Sequence, residues 1–189
     1  MIGAARRAGC TGSLGVLAAL VLMVSACAPA ASPDRAEALE LANIRETNIV
    51  PKTSPARLVA HFTDYCVETR ADPARVRAKL RAADYVEVPS RASSPVRSFV
   101  VDDSKPAVLL MREGLGCAVA AESRTGQTSR IERMIASDFA QAMPVDPRRL
   151  GRSVERAWAV SGPVDGVIFV QRINAPGQSS RLILGIKHS

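Results

Sequence analysis

The chain has few of the residues from which most enzyme and metal sites are built. Its 189 residues include two histidines, four cysteines and one tryptophan, and aromatic residues make up 4% of the sequence. The serine-hydrolase patterns G-x-S-x-G and S-x-x-K do not occur. No C-x-x-C spacing indicates a metal site, and Gly114-Leu115-Gly116 lacks the third glycine of a phosphate-binding loop. These absences argue against common hydrolase, zinc and nucleotide-binding classes, and we expect no metal and no cofactor.

The first 27 residues have the layout of an export signal. Arg6 and Arg7 supply a positive start, and an uncharged apolar run follows from Leu14 to Val24. A membrane-spanning helix needs about 20 apolar residues, and this run has 11. An uncleaved membrane anchor and an ordinary cleaved signal are the two alternatives to the interpretation that follows.

The end of this segment, Val24-Ser25-Ala26-Cys27, resembles the lipobox of bacterial lipoproteins. The resemblance implies cleavage before Cys27, a diacylglyceryl group on its sulfur and usually a further acyl chain, such as palmitate, on the new N-terminus. Two or more acyl chains hold a protein stably on a membrane. Ala28 follows the cysteine, and in a Gram-negative cell the family rule then favours the outer membrane, facing the periplasm. We predict a signal peptide over residues 1–26 and a lipidated cysteine with a flexible tether over residues 27–53.

Cysteine usage in this interpretation leaves one pair in the exported domain. Cys10 lies in the removed segment and Cys27 takes the lipid, so Cys66 and Cys117 remain. A disulfide is the expected state of such a pair in an oxidising compartment. Two buried free thiols and a reactive thiol pair are the alternatives.

The charge is positive and is carried mostly by arginine. The chain has 25 basic and 18 acidic residues, and loss of residues 1–26 leaves a net charge of about +5. A solvated surface explains this charge, and so does attraction to anionic head groups or cell-wall polymers. The densest basic cluster, Arg148, Arg149 and Arg152, is the candidate contact with an anion. Nucleic acid is disfavoured by the compartment and by the lack of an aromatic-basic motif.

Hydrophobic periodicity predicts one α+β domain over residues 54–189. We expect an antiparallel sheet of five to six strands with helices packed on one face, in the order α-α-β-β-β-α-β-β-β. Ser54 and Asp72, each followed by proline, predict the starts of the first two helices. Thr128 or Ser129 is expected to cap the third.

Two short patterns link the domain to other exported proteins. Phe62-x-x-x-Cys66 on a predicted helix and Gly116-Cys117-Ala118-Val119 on a predicted strand resemble small exported proteobacterial proteins of unassigned function. The resemblance implies paired cysteines and no particular activity.

The chemistry-bearing residues of the first helix form one candidate polar site. His61, Asp64 and Glu68 are spaced so that they share an edge of that helix. An acid–base or metal site is one interpretation, and a solvated helix flank is the other.

From the anchor, the composition and the missing catalytic motifs together, we predict a non-catalytic binding or assembly module that contacts the membrane through its anchor and binds an envelope protein or an anionic polymer. A small-ligand-sensing domain and a small envelope hydrolase are the alternatives.

Overall fold

The computed structural model describes residues 50–90, 92–174 and 176–188. The predicted signal peptide, the lipidation site at Cys27 and the tether up to residue 49 lie outside this part of the chain. The chain divides into two compact units, and the boundary falls between Asp34 and Arg35. Among the described residues, no helix combines the length and the apolar character needed to cross a bilayer.

The first two helices begin where their caps predict. Helix α1 (Pro55–Phe62) starts after Ser54, whose hydroxyl accepts a hydrogen bond from the Arg57 amide at 3.2 Å. Helix α2 (Pro73–Ala82) starts after Asp72, whose carboxylate accepts the amides of Ala74 and Arg75, both at 2.9 Å. In each case proline occupies the first helical position, where its missing amide proton costs nothing. Both cap predictions are confirmed.

The third helix, α3 (Gln127–Asp138), begins differently from the prediction. Gly126 precedes it at φ +85° and offers no side-chain cap. The fully buried side chain of Gln127 accepts the Arg124 amide at 2.8 Å and donates to the Glu122 carbonyl at 2.9 Å. The prediction that Thr128 or Ser129 caps this helix is therefore wrong, because a buried glutamine secures the loop instead.

The sheet is a single antiparallel sheet in the order β1-β2-β3-β4-β8-β7-β6-β5. Two four-stranded meanders, β1–β4 and β5–β8, join through the pair β4 and β8. The strands, in chain order, are Val86–Glu87, Val96–Val100, Ala107–Met111, Gly116–Glu122, Met143–Pro144, Val154–Val160, Gly166–Ile173 and Arg181–Lys187.

The predicted class, α+β with an antiparallel sheet, is confirmed, and the predicted five to six strands is wrong. The described residues form eight strands. The edge strands β1 and β5 have two residues each. Alternation in the sequence is typical of the β1 region, whereas β5 is too short to show it. Both strands form because β2 and β6 offer them hydrogen-bonding partners.

The main core lies between the helices and one face of the sheet. Helices α1, α2 and α3 all contribute to it, and alternate residues of the strands face them, as expected of strand geometry. The opposite face of the sheet, here called the second sheet face, carries a separate apolar cluster. Its buried members are Ala107, Ala118, Ala120, Ala157, Phe169 and Ile183.

Cys66 and Cys117 form a disulfide inside the main core, so the predicted pairing is confirmed. Their Cα atoms are 5.5 Å apart and both residues are fully buried. Cys66 lies in a π-helical turn, Thr63–Val67, that continues α1, and the Glu68 amide donates to the Thr63 carbonyl at 2.9 Å. Cys117 lies on β4. The bond therefore joins the end of α1 to a central strand.

Candidate functional site

His61 lies half-buried at the end of α1 and packs on an aromatic neighbour. Its Nδ1 atom is 3.0 Å from the Arg57 carbonyl, and its ring centroid is 5.6 Å from that of Tyr65. Burial lowers the pKa of His61, while the Arg57 carbonyl and the nearby Asp64 carboxylate oppose that effect. The folded protein therefore favours the neutral imidazole.

A lysine from α2 occupies the space beside the other two residues of the predicted polar site. The Lys79 ammonium donates to the Asp64 carbonyl at 2.7 Å and to the Glu68 carboxylate at 2.9 Å. These contacts tie α2 to the π-helical turn. None of the clefts described below is lined by His61, Asp64 or Glu68. An acid–base role for these residues stays a prediction.

The predicted anion contact lies on the connector between β5 and β6. Arg148 and Arg149 belong to a 3₁₀ turn, Pro147–Arg149, which begins where the Asp146 carboxylate accepts the Arg148 amide at 3.0 Å. Both arginines and Arg152 are exposed. None of the three forms an ion pair with a described residue. Their guanidinium groups are therefore accessible to a partner.

A polar cleft that the sequence did not reveal opens beside the start of α3. Its volume is about 690 Å³. Three arginines from separate strands and loops reach it, namely Arg124, Arg156 and Arg172. Gly126 and one carboxylate, that of Glu132, also line it, and the remaining lining residues carry hydroxyl groups, namely Ser123, Thr125, Thr128, Ser129 and Ser180. The mixture of guanidinium and hydroxyl donors suits an anionic or heavily hydroxylated ligand.

Each arginine of this cleft has a carboxylate partner. Arg124 lies 3.6 Å from Glu122, and Arg156 lies 3.4 Å from Glu132. These two arginine side chains are 45% and 57% exposed, and such ion pairs contribute at most about 1 kcal/mol. Arg172 is held more firmly, because both of its contacts to the Glu155 carboxylate are within hydrogen-bond distance, at 2.7 and 3.4 Å. Arg124 and Arg156 can therefore exchange their partners for an incoming anion.

A second cleft continues from the first along the edge of the sheet. It has a volume of about 460 Å³ and shares Glu132 and Arg156 with the first cleft. Trp158 lines it, together with Pro144, Val145 and Pro147 of the connector. The two clefts adjoin at Glu132 and Arg156 and are together called here the α3 groove. Its far end meets the connector that carries Arg148, Arg149 and Arg152.

Comparison with family models, curated proteins and solved structures gave no match to this chain. Among the described residues, no group of three or more histidine, cysteine, aspartate or glutamate side chains is placed to hold a metal ion.

The α3 groove escaped sequence reasoning because its residues come from distant segments. Arg124 follows β4, Arg156 lies on β6 and Arg172 lies on β7. Only the pairing of β6 with β7 and the position of α3 bring them together. The sequence signal that was available was the general excess of arginine.

Proposed function

We propose that this protein is a lipid-anchored protein of the cell envelope whose domain binds a partner and does not catalyse a reaction. The anchor is Cys27, and the membrane is the outer membrane, facing the periplasm, if the cell is Gram-negative. The buried Cys66–Cys117 disulfide supports an oxidising compartment. The lipobox resemblance of residues 24–27 supports the anchor.

The binding role rests on one observation, the α3 groove. An open groove lined by exchangeable arginines and hydroxyl groups suits the phosphate or carboxylate groups of an anionic polymer. Its length and its continuity with the connector favour an extended partner, since Arg148, Arg149 and Arg152 lie beyond its far end. Residues 50–189 carry 21 basic and 14 acidic side chains, so long-range attraction also favours an anion.

The anchor is tested by metabolic labelling with palmitate in the native cell. The wild-type protein should incorporate label and remain in the membrane fraction. Cys27→Ala should lose both the label and the membrane association. Cys10→Ala is the matched control, because it removes a cysteine of the same segment and should change neither. Retention of the label by Cys27→Ala would refute the anchor.

The binding role is tested with the single tryptophan as the reporter. Trp158 lies in the α3 groove, so its fluorescence should respond when inorganic polyphosphate or polyglutamate is added to the detergent-extracted mature protein. Arg124→Gln and Arg156→Gln should each weaken binding about fivefold, which corresponds to the loss of one exposed ion pair. Arg81→Gln, on the exposed side of α2, is the control and should bind as the wild type does. No saturable response beyond that of sodium chloride at equal ionic strength would overturn the proposal.

A further inference from the structure

The second sheet face carries partly exposed apolar side chains at its β1–β4 end. Val100, Leu109 and Met111 belong to its apolar cluster and are half-buried. Helices α1, α2 and α3 pack on the opposite face. Among the described residues outside the strands, only Val145 and Leu150 of the connector pack on this cluster, and the connector is paired with β6, at the far edge of the sheet from β1. The β1–β4 end of the face lacks a described cover.

The described chain starts at that same end of the sheet. The Pro51 carbonyl accepts the Glu122 amide at 2.8 Å, and the Lys52 amide donates to the Asp103 carbonyl at 2.7 Å. Glu122 is the last residue of β4, two positions beyond Ala120. Pro51 is buried and Val50 is half-buried. The described chain therefore begins beside the end of β4.

The preceding segment has the length and composition needed to cover this face. At about 1.5 Å per residue in a helix, or about 3.3 Å when extended, the 15 residues 35–49 reach roughly 22 to 50 Å. In the sheet, the five neighbouring strands β2, β3, β4, β8 and β7 together span about 20 Å at the usual strand spacing. The segment carries the apolar residues Leu39, Leu41, Ala42, Ile44 and Ile49.

Charge also favours this segment over a second copy of the domain. Residues 35–49 carry three acidic and two basic side chains, whereas residues 50–189 carry a net excess of basic ones. A net acidic segment is attracted to a basic domain, whereas two basic domains repel each other.

We propose that residues 35–49 bind to the second sheet face of their own chain and cover its β1–β4 end. The apolar side chains of the segment then contact Leu109, Ala118 and Ala120. The proposal goes beyond the proposed function and does not require lipidation. If Cys27 is lipidated, only residues 28–34 remain as a free connection to the membrane, and the domain stays close to the bilayer.

Photo-crosslinking of the mature protein tests this proposal. The photoreactive residue p-benzoylphenylalanine replaces Leu109 on the second sheet face, and in a matched control it replaces the exposed Arg133 of α3. After irradiation, peptide mass spectrometry should find the Leu109 probe attached to residues 35–49. The Arg133 probe should not reach them. Mixing unlabelled and ¹⁵N-labelled protein separates crosslinks within one chain from those between two chains.

Trypsin cleavage after Arg45 supplies a second measurement. Leu41→Asp with Ile44→Asp should speed this cleavage at least tenfold, because the segment is released. Asn43→Asp with Thr47→Asp alters neighbouring polar positions and should leave the rate within twofold. Crosslinks from Leu109 to a second copy, to a co-purified molecule or to no part of residues 35–49 would overturn the proposal. Equal cleavage rates in both double variants would do the same.

Discussion

At the residue scale, Gly185 on β8 is the position where a single methyl group has the clearest consequence. A Cβ atom there would lie 2.5 Å from the Phe169 ring and 2.9 Å from the Ala118 Cβ. Gly185 pairs with both residues across the sheet, so the ring of Phe169 covers the glycine. We expect Gly185→Ala to lower the free energy of unfolding by about 2 kcal/mol, as overpacking does.

The cause of that loss can be isolated with a second substitution, measured by urea unfolding. Phe169→Leu removes the ring edge, so combining it with Gly185→Ala should cost at least about 1 kcal/mol less than the sum of the two single changes. Gly116→Ala is the control, because its Cβ would meet the backbone carbonyl of Ile186 at 2.2 Å. Phe169→Leu should not rescue it. Strict additivity at Gly185 would show that the ring is not the obstacle.

At the element scale, the residue that follows α2 is not the one that its backbone conformation favours. Asp84 adopts φ +60°, and the Tyr85 amide donates to the Leu80 carbonyl at 3.0 Å, which is the hydrogen-bond pattern of a Schellman cap. Glycine is preferred at this position, and an acidic side chain is unfavourable at a helix C-terminus. We expect Asp84→Gly to raise the melting temperature, with a gain of about 0.5–1 kcal/mol. Asp103→Gly is the control, because Asp103 is exposed and has no positive φ, and it should not raise the melting temperature. Equal increases in melting temperature for the two variants would contradict this expectation.

The elements that the sequence predicts well are those with local signals. Ser54 and Asp72 each satisfy amides within three residues, so their helices are specified by neighbouring residues alone. The strand β5 has two residues and is defined by its hydrogen bonds to β6, so the sequence alone could not count it. The start of α3 was predicted wrongly because Gln127 acts through buried side-chain hydrogen bonds that hydroxyl-based cap rules do not include.

At the scale of the whole molecule, the same distinction separates the cysteine pair from the α3 groove. Cys66 and Cys117 could be paired in advance because the lipobox interpretation left only two cysteines in the domain. Arg124, Arg156 and Arg172 are three of many arginines, and nothing in their spacing singles them out. Their convergence depends on the order of β6, β7 and β8 and on where α3 begins. A site of this kind becomes visible only after the tertiary fold is known.

The disulfide makes the stability of the whole domain depend on whether its compartment is oxidising or reducing. It closes a loop with a sequence separation of 51 residues, which the chain-entropy model values at about 4 kcal/mol. We expect Cys66→Ala with Cys117→Ala to lower the free energy of unfolding by roughly 3 kcal/mol in urea. Wild-type protein refolded with excess reductant should show the same loss, and the double variant should not respond to the reductant. A loss below about 1 kcal/mol in both experiments would mean that the main core alone supports the domain, and stability in a reducing compartment would then be unaffected.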